Sequence, residues 1–92
     1  MKVSISYFGI SAKVDEKLTC FTLSEQSSVK DLVTQFAFNF LYDPDILIGK
    51  EGSLHRHLII HVNKKRVLAS KAADHILNDG DEVAIYLSVS GG

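Results

Sequence analysis

The sequence predicts an α+β domain in which a mixed sheet of four or five strands packs on one main helix. Two patterns carry that prediction. Segments near both ends alternate polar and apolar residues with a period of two, as half-buried strands do. Between them Val29, Leu32, Val33, Phe36, Ala37 and Phe40 recur at steps of three and four, which makes one apolar helical stripe. With 92 residues, 46% of them hydrophobic and 23% charged, the chain suits one folded domain with a thin core and lies far from the composition of a disordered segment.

Over Lys2 to Phe8 the residues Val3, Ile5 and Tyr7 share a face, a first strand that Gly9 ends. Ser11 to Lys17 is a polar connection, and Leu18 to Leu23 resumes a β-rich run, so the two strands are expected to pair as a hairpin. Ser28 is the expected helix N-cap, with Asp31 as the acidic partner of a capping box. A residue before proline is disfavoured in α geometry, so Asp43-Pro44-Asp45 should stop the helix near Tyr42. Phe38 falls off the apolar stripe and is expected to pack under the long connection that follows.

That connection, with Gly49 and Gly52, leads to Leu58-Ile59-Ile60-His61-Val62, which reads as a buried central strand. Asn63 to Lys65 marks a turn, Arg66 to Leu68 a short strand, and Ala72 to Leu77 one helical turn. Asn78-Asp79-Gly80-Asp81 is rich in turn residues. Glu82 to Ser88 is the last strand, with Val83, Ile85 and Leu87 on the core face. The order is ββαβ, a short strand, then β. A hairpin followed by a right-handed crossover through a helix gives a mixed sheet wrapped on that helix, the β-grasp arrangement. Residues 1–88 are expected to form this domain and 89–92 a flexible tail.

A net charge of −1 offers no electrostatic case for nucleic acid or an anionic membrane, and points to protein partners. Cys20 is the only cysteine, which excludes an internal disulfide, a four-cysteine zinc site and a cysteine-held iron–sulfur cluster, and fits a reducing cytoplasm. It is expected to be a small core or half-buried residue, since nothing nearby would lower its pKa. The early alternation leaves no uninterrupted apolar stretch for a signal peptide or a transmembrane helix.

The final pair Gly91-Gly92 is the strongest chemical feature. At ordinary glycine usage two glycines would close a chain by chance in only roughly 0.5% of cases. Without Cβ atoms they make a thin end, and Ser88 to Gly92 could reach about 16 Å beyond the sheet, enough to thread a partner's active site. A bare carboxylate is a poor electrophile and must be activated before a nucleophile can attack it. The plain alternative is a frayed end without a role. What favours chemistry is context, because the pair follows a terminal strand introduced by an acidic glycine turn.

The segment Asn78 to Ile85, running on to Val89-Ser90-Gly91-Gly92, resembles the end of the MoaD and ThiS type ubiquitin-like sulfur carriers. The first strand, the capped helix and Ile60-His61-Val62-Asn63 extend that likeness over nearly the whole chain. Gly52-Ser53-Leu54-His55-Arg56 is similar to a subgroup that includes cysteine-biosynthetic carriers and archaeal modifier proteins. The resemblance implies that an E1-like enzyme adenylates Gly92 with ATP and that a sulfur donor converts the carboxylate into a thiocarboxylate, for cofactor biosynthesis or transfer-RNA thiolation. The same activated end could form isopeptide bonds to lysines of target proteins. Gly91 would fit the narrow tunnel, Ser88, Val89 and Ser90 would contact the partner in extended form, and an exposed sheet face that includes Tyr86 would dock the adenylating enzyme. Leu87-Ser88 stands where molybdopterin-type members often have proline, which weakens assignment to that pathway in particular.

Other features weigh less. His55, His57 and His61 would share a strand face, and could bind a divalent metal, if the third strand began early; no carboxylate or cysteine completes a ligand set, so none is assigned. Lys64, Lys65 and Arg66 read as a solvated basic turn. No acid–base pair, nucleophile triad or phosphate-binding glycine loop marks an independent enzyme. A non-covalent interaction module with a dispensable tail is the remaining alternative.

Overall fold

The structure, a computed structural model, describes residues 1–9 and 18–87. Five strands, β1 (Lys2–Phe8), β2 (Leu18–Thr22), β3 (Leu58–Val62), β4 (Lys65–Val67) and β5 (Glu82–Leu87), form one sheet in the order β2-β1-β5-β3-β4. Only the β1 and β5 pair is parallel; the other three pairings are antiparallel. Helix α1 (Val29–Phe40) lies on one face. This is the β-grasp arrangement that the element order predicts.

Helix α1 starts where the capping residues place it. The Ser28 hydroxyl accepts from the Asp31 amide at 3.1 Å and the Asp31 carboxylate accepts from the Ser28 amide at 2.8 Å, so the box satisfies two amides that the helix cannot. Two more amides of the first turn, on Val29 and Lys30, donate to the carbonyls of His75 and Ala72. Segment 72–77 is therefore occupied in closing the helix start, and Leu77 donates back to the Ser27 carbonyl at 2.9 Å. The helical turn expected there is replaced by a short 3-10 turn at Ala69–Lys71.

The apolar stripe packs as its spacing requires. Val29, Leu32, Val33, Phe36 and Ala37 are buried against Val3, Ile5, Tyr7, Phe21, Leu58, Ile60, Val83 and Ile85. Phe36 is the hub: its ring lies 5.0 Å from Tyr7, 6.4 Å from Phe21 and 5.9 Å from Phe40.

Several expectations shift. The helix ends at Phe40, two residues early, and Pro44 opens a 3-10 turn over Pro44–Ile46. Phe38 does not pack under the connection; it is 62% exposed, because the helix turns it away from the sheet. The central strand is β5, with β3 one place outward, and in β3 only Leu58, Ile60 and Val62 are fully buried. Asn63 and Lys64 both take left-handed backbone (φ 51° and 73°), the geometry of a two-residue hairpin turn, which pulls the start of β4 forward to Lys65. Cys20 is exposed rather than half-buried, since it pairs with Ser4 on the face away from α1. The connection at 11–17 lies outside the described residues.

Phe36→Ala should destabilise the domain by about 3–5 kcal/mol, and Ser28→Ala by about 1 kcal/mol, through loss of one cap. Urea unfolding followed by far-UV circular dichroism measures both, and comparable losses would contradict Phe36 as the packing hub.

Candidate functional site

The sheet face opposite α1 is open, and β5 runs down its middle. Alternation along β5 puts Val83 and Ile85 into the core and turns Glu82, Ala84 and Tyr86 to the open face. Register does the rest: Tyr86 stands beside Phe8 of β1 and Ile59 of β3, and Ala84 beside Ser6 and His61.

Tyr86 and Phe8 stack at 4.9 Å with planes 11° apart, and His61 meets Tyr86 edge-on at 5.3 Å. Such pairs hold aromatic rings in place on a surface. Phe8 remains 44% exposed. The small Ala84 leaves a concavity of about 300 Å³ beside this cluster, bordered by Ser4, Ser6, His61, Lys64 and Glu82. An aromatic ridge next to a polar-rimmed hollow is a surface suited to a protein partner.

The end of β5 is held from the β1 side. Gly9 takes φ +74°, and a Cβ there would stand 2.8 Å from the Leu87 carbonyl oxygen. A side chain at this position would push on the backbone at the last described residue of β5. The predicted tail residues Ser88, Val89, Ser90, Gly91 and Gly92 lie outside the described residues.

The histidines do not converge. β3 begins at Leu58, so His55 and His57 precede it and share no strand face with His61. The His55 ring bonds the Asp45 carbonyl at 2.7 Å and thereby ties the connection to the 3-10 turn at Pro44. Among the described residues no group of three or more His, Cys, Asp or Glu side chains is placed to hold a metal ion. Nor is any helix among them long and apolar enough to cross a membrane. Of the sequence-predicted site, then, the structure places Tyr86. Phe8, Ile59 and His61 were missed beside it; period-two alternation puts each on an outward face, but only the register shows that they meet.

A family model described as the ThiS family matches residues 5–92. The chain belongs to the ThiS family. Solved structures agree on the fold. SAMP1 from Haloferax volcanii superposes with a TM-score of 0.73 at 19% identity, covering 100% of both chains. The Haloferax volcanii HVO 2177 protein gives 0.79 at 19% identity, over 100% of this chain and 87% of that one. Urm1 from Trypanosoma brucei gives 0.74 at 20% identity, over 99% and 95%. No curated protein matches in sequence. For a ThiS-family chain, the cluster around Tyr86 is the part of the open face next to the end of β5.

Gly9→Ala should cost about 1–3 kcal/mol and shift the backbone amide resonances of Tyr86 and Leu87. Gly80→Ala, at φ +87° with nothing within 4 Å, should cost only about 1 kcal/mol and leave those resonances alone. Chemical denaturation and amide spectra of both variants check the contrast.

Proposed function

We propose that this protein is a ubiquitin-like sulfur carrier, a substrate of other enzymes rather than a catalyst. Its working group is the Gly92 carboxylate, on a tail of residues 89–92 that follows the β-grasp domain of residues 1–88. Membership of the ThiS family over residues 5–92 is the observation that carries the reading. The chemistry it implies is specific. An E1-like enzyme joins the carboxylate to the AMP of ATP and releases pyrophosphate. A sulfur donor at the sulfide level then attacks the acyl carbon, AMP leaves, and a thiocarboxylate remains for a sulfur-accepting synthase. Gly91 and Gly92 leave the acyl carbon unhindered, and Ser88, Val89 and Ser90 span from β5 into the partner's active site in extended form.

The open face supports this reading. Tyr86, stacked on Phe8 and flanked by His61, lies on the strand that leads to the tail, so an enzyme gripping the tail would rest on those rings. The site of action is the cytoplasm, where ATP and reduced sulfur donors are available.

A second reading has its own support. One structure of the same fold, at 16% identity and a TM-score of 0.69, is the small archaeal modifier protein 1 of Haloferax volcanii. A lysine amine in place of the sulfur nucleophile would give an isopeptide bond from the same acyl-adenylate. Intact mass spectrometry of protein recovered from its host separates the two. Exchange of one terminal oxygen for sulfur supports the carrier, and diglycine remnants on lysines of other proteins support the modifier. Finding neither would overturn both.

Removing Gly91 and Gly92 should abolish ATP–pyrophosphate exchange by the activating enzyme while the unfolding midpoint stays unchanged. Tyr86→Asp should raise KM for this protein in the same assay by about thirtyfold, the ~2 kcal/mol of an aromatic anchor, with kcat little altered. Unchanged exchange in the first variant would leave only the non-covalent module.

A further inference from the structure

A second concave surface lies away from the aromatic cluster. Lys30 from the first turn of α1, Ser53, Leu54 and Arg56 from the connection before β3, and Ser70 after β4 enclose a groove of about 320 Å³. It adjoins a hollow of about 210 Å³ that shares Arg56 and Ser70 and extends to Arg66 and Leu68. The linings of these two hollows hold three cations and two hydroxyls and no carboxylate, and Glu51 lies beyond Ser53 and Arg56 in a third hollow. None of the three cations makes an ion pair among the described residues.

The chain carries 11 acidic residues against 10 basic ones, so cations gathered without a counter-charge are not the result of a basic composition. An anion seated among these unpaired cations would be attracted to all of them. Guanidinium groups and hydroxyls are the donors that recognise carboxylates. The three cations come from three separate elements, α1, the connection and β4, and so address points along an extended ligand rather than one small ion. Apolar surface accompanies them, with Leu54 in the lining and Leu68 beside it 53% exposed.

We propose that this groove binds an acidic segment of a protein partner, with Asp or Glu side chains on Arg56, Lys30 and Arg66 and an intervening apolar side chain over Leu54 and Leu68. Recognition of acidic motifs by arginine clusters is an established binding mode. The groove needs neither the tail nor the Tyr86 cluster, so it gives the protein a second contact independent of activation.

The test is a titration of isotope-labelled full-length protein with a blocked peptide of alternating glutamate and leucine, followed by amide spectra. Shifts should centre on Lys30, Ser53, Arg56 and Ser70 and shrink as salt is raised. Arg56→Glu should weaken binding by about five- to tenfold with the fold intact by circular dichroism. Lys2→Glu, an equal change of net charge on strand β1, should weaken it by less than about twofold. Removal of Gly91 and Gly92 should leave binding unchanged, which separates this result from any failure of the carrier reading. Three outcomes would overturn the proposal: inorganic phosphate producing the same shifts as strongly as the peptide, peptide shifts centred on Tyr86 instead, or equal weakening by Lys2→Glu and Arg56→Glu.

Discussion

The parallel pairing of β1 with β5 is the constraint on which the other features depend. These strands are far apart in the chain, and a parallel pair cannot be closed by a hairpin, so the chain between them must include a crossover, in which α1 lies. The turn before β5 sets how they meet. The Gly80 amide donates to the Lys2 carbonyl at 2.7 Å, the Lys2 amide to the Asp79 carboxylate at 2.6 Å, and the Ser4 amide to the Asp81 carbonyl at 3.1 Å. Slipping this register by one residue would turn Val83 and Ile85 out of the core and Tyr86 into it.

The same turn reaches across to β3. Asp81 is buried, and its carboxylate accepts from the Asn63 side chain at 3.0 Å and from the Asn78 amide at 2.8 Å, while the Asn63 side-chain oxygen Oδ1 accepts from the Glu82 amide at 2.9 Å. One polar cluster thus aligns β5 with both neighbours at its start. At its other end, the missing side chain of Gly9 lets the β1 exit lie against Leu87. The alignment made at Asp81 is carried along six residues of β5 to the place where Phe8, Tyr86 and His61 come together.

Much of this was legible in the sequence because it rests on local chemistry. The capping pair Ser28 and Asp31, the stripe from Val29 to Phe40, and the alternation of β5 each follow from spacing alone. What escaped depends on contacts between distant segments. Nothing near Ala72 to Leu77 shows that those carbonyls will be taken by the amides of α1, so a helical turn was a reasonable local reading and the wrong one. Cys20 sits in a β-rich run in sequence, yet pairing with Ser4 puts it on the open face. For the candidate site, the outward position of Tyr86 is legible from the alternation of its strand, whereas Phe8, Ile59 and His61 become its neighbours only through register.

Charge follows the same logic. A near-neutral total does not fix how charge is arranged locally, and the groove lined by Lys30, Arg56 and Arg66 holds no carboxylate. Lys30, Arg56 and Arg66 are widely spaced in sequence and none forms a basic run with another. Arg66 belongs to a run with Lys64 and Lys65, but the turn at Asn63 and Lys64 separates them, sending Lys64 to the hollow beside Tyr86 and Arg66 to the groove with Arg56. A cluster that looks like one solvated turn is thereby divided between two surfaces. The fold that aligns the aromatic face also assembles the basic groove, because α1, the connection before β3, and β4, all between β1 and β5 in the chain, supply the groove's lining.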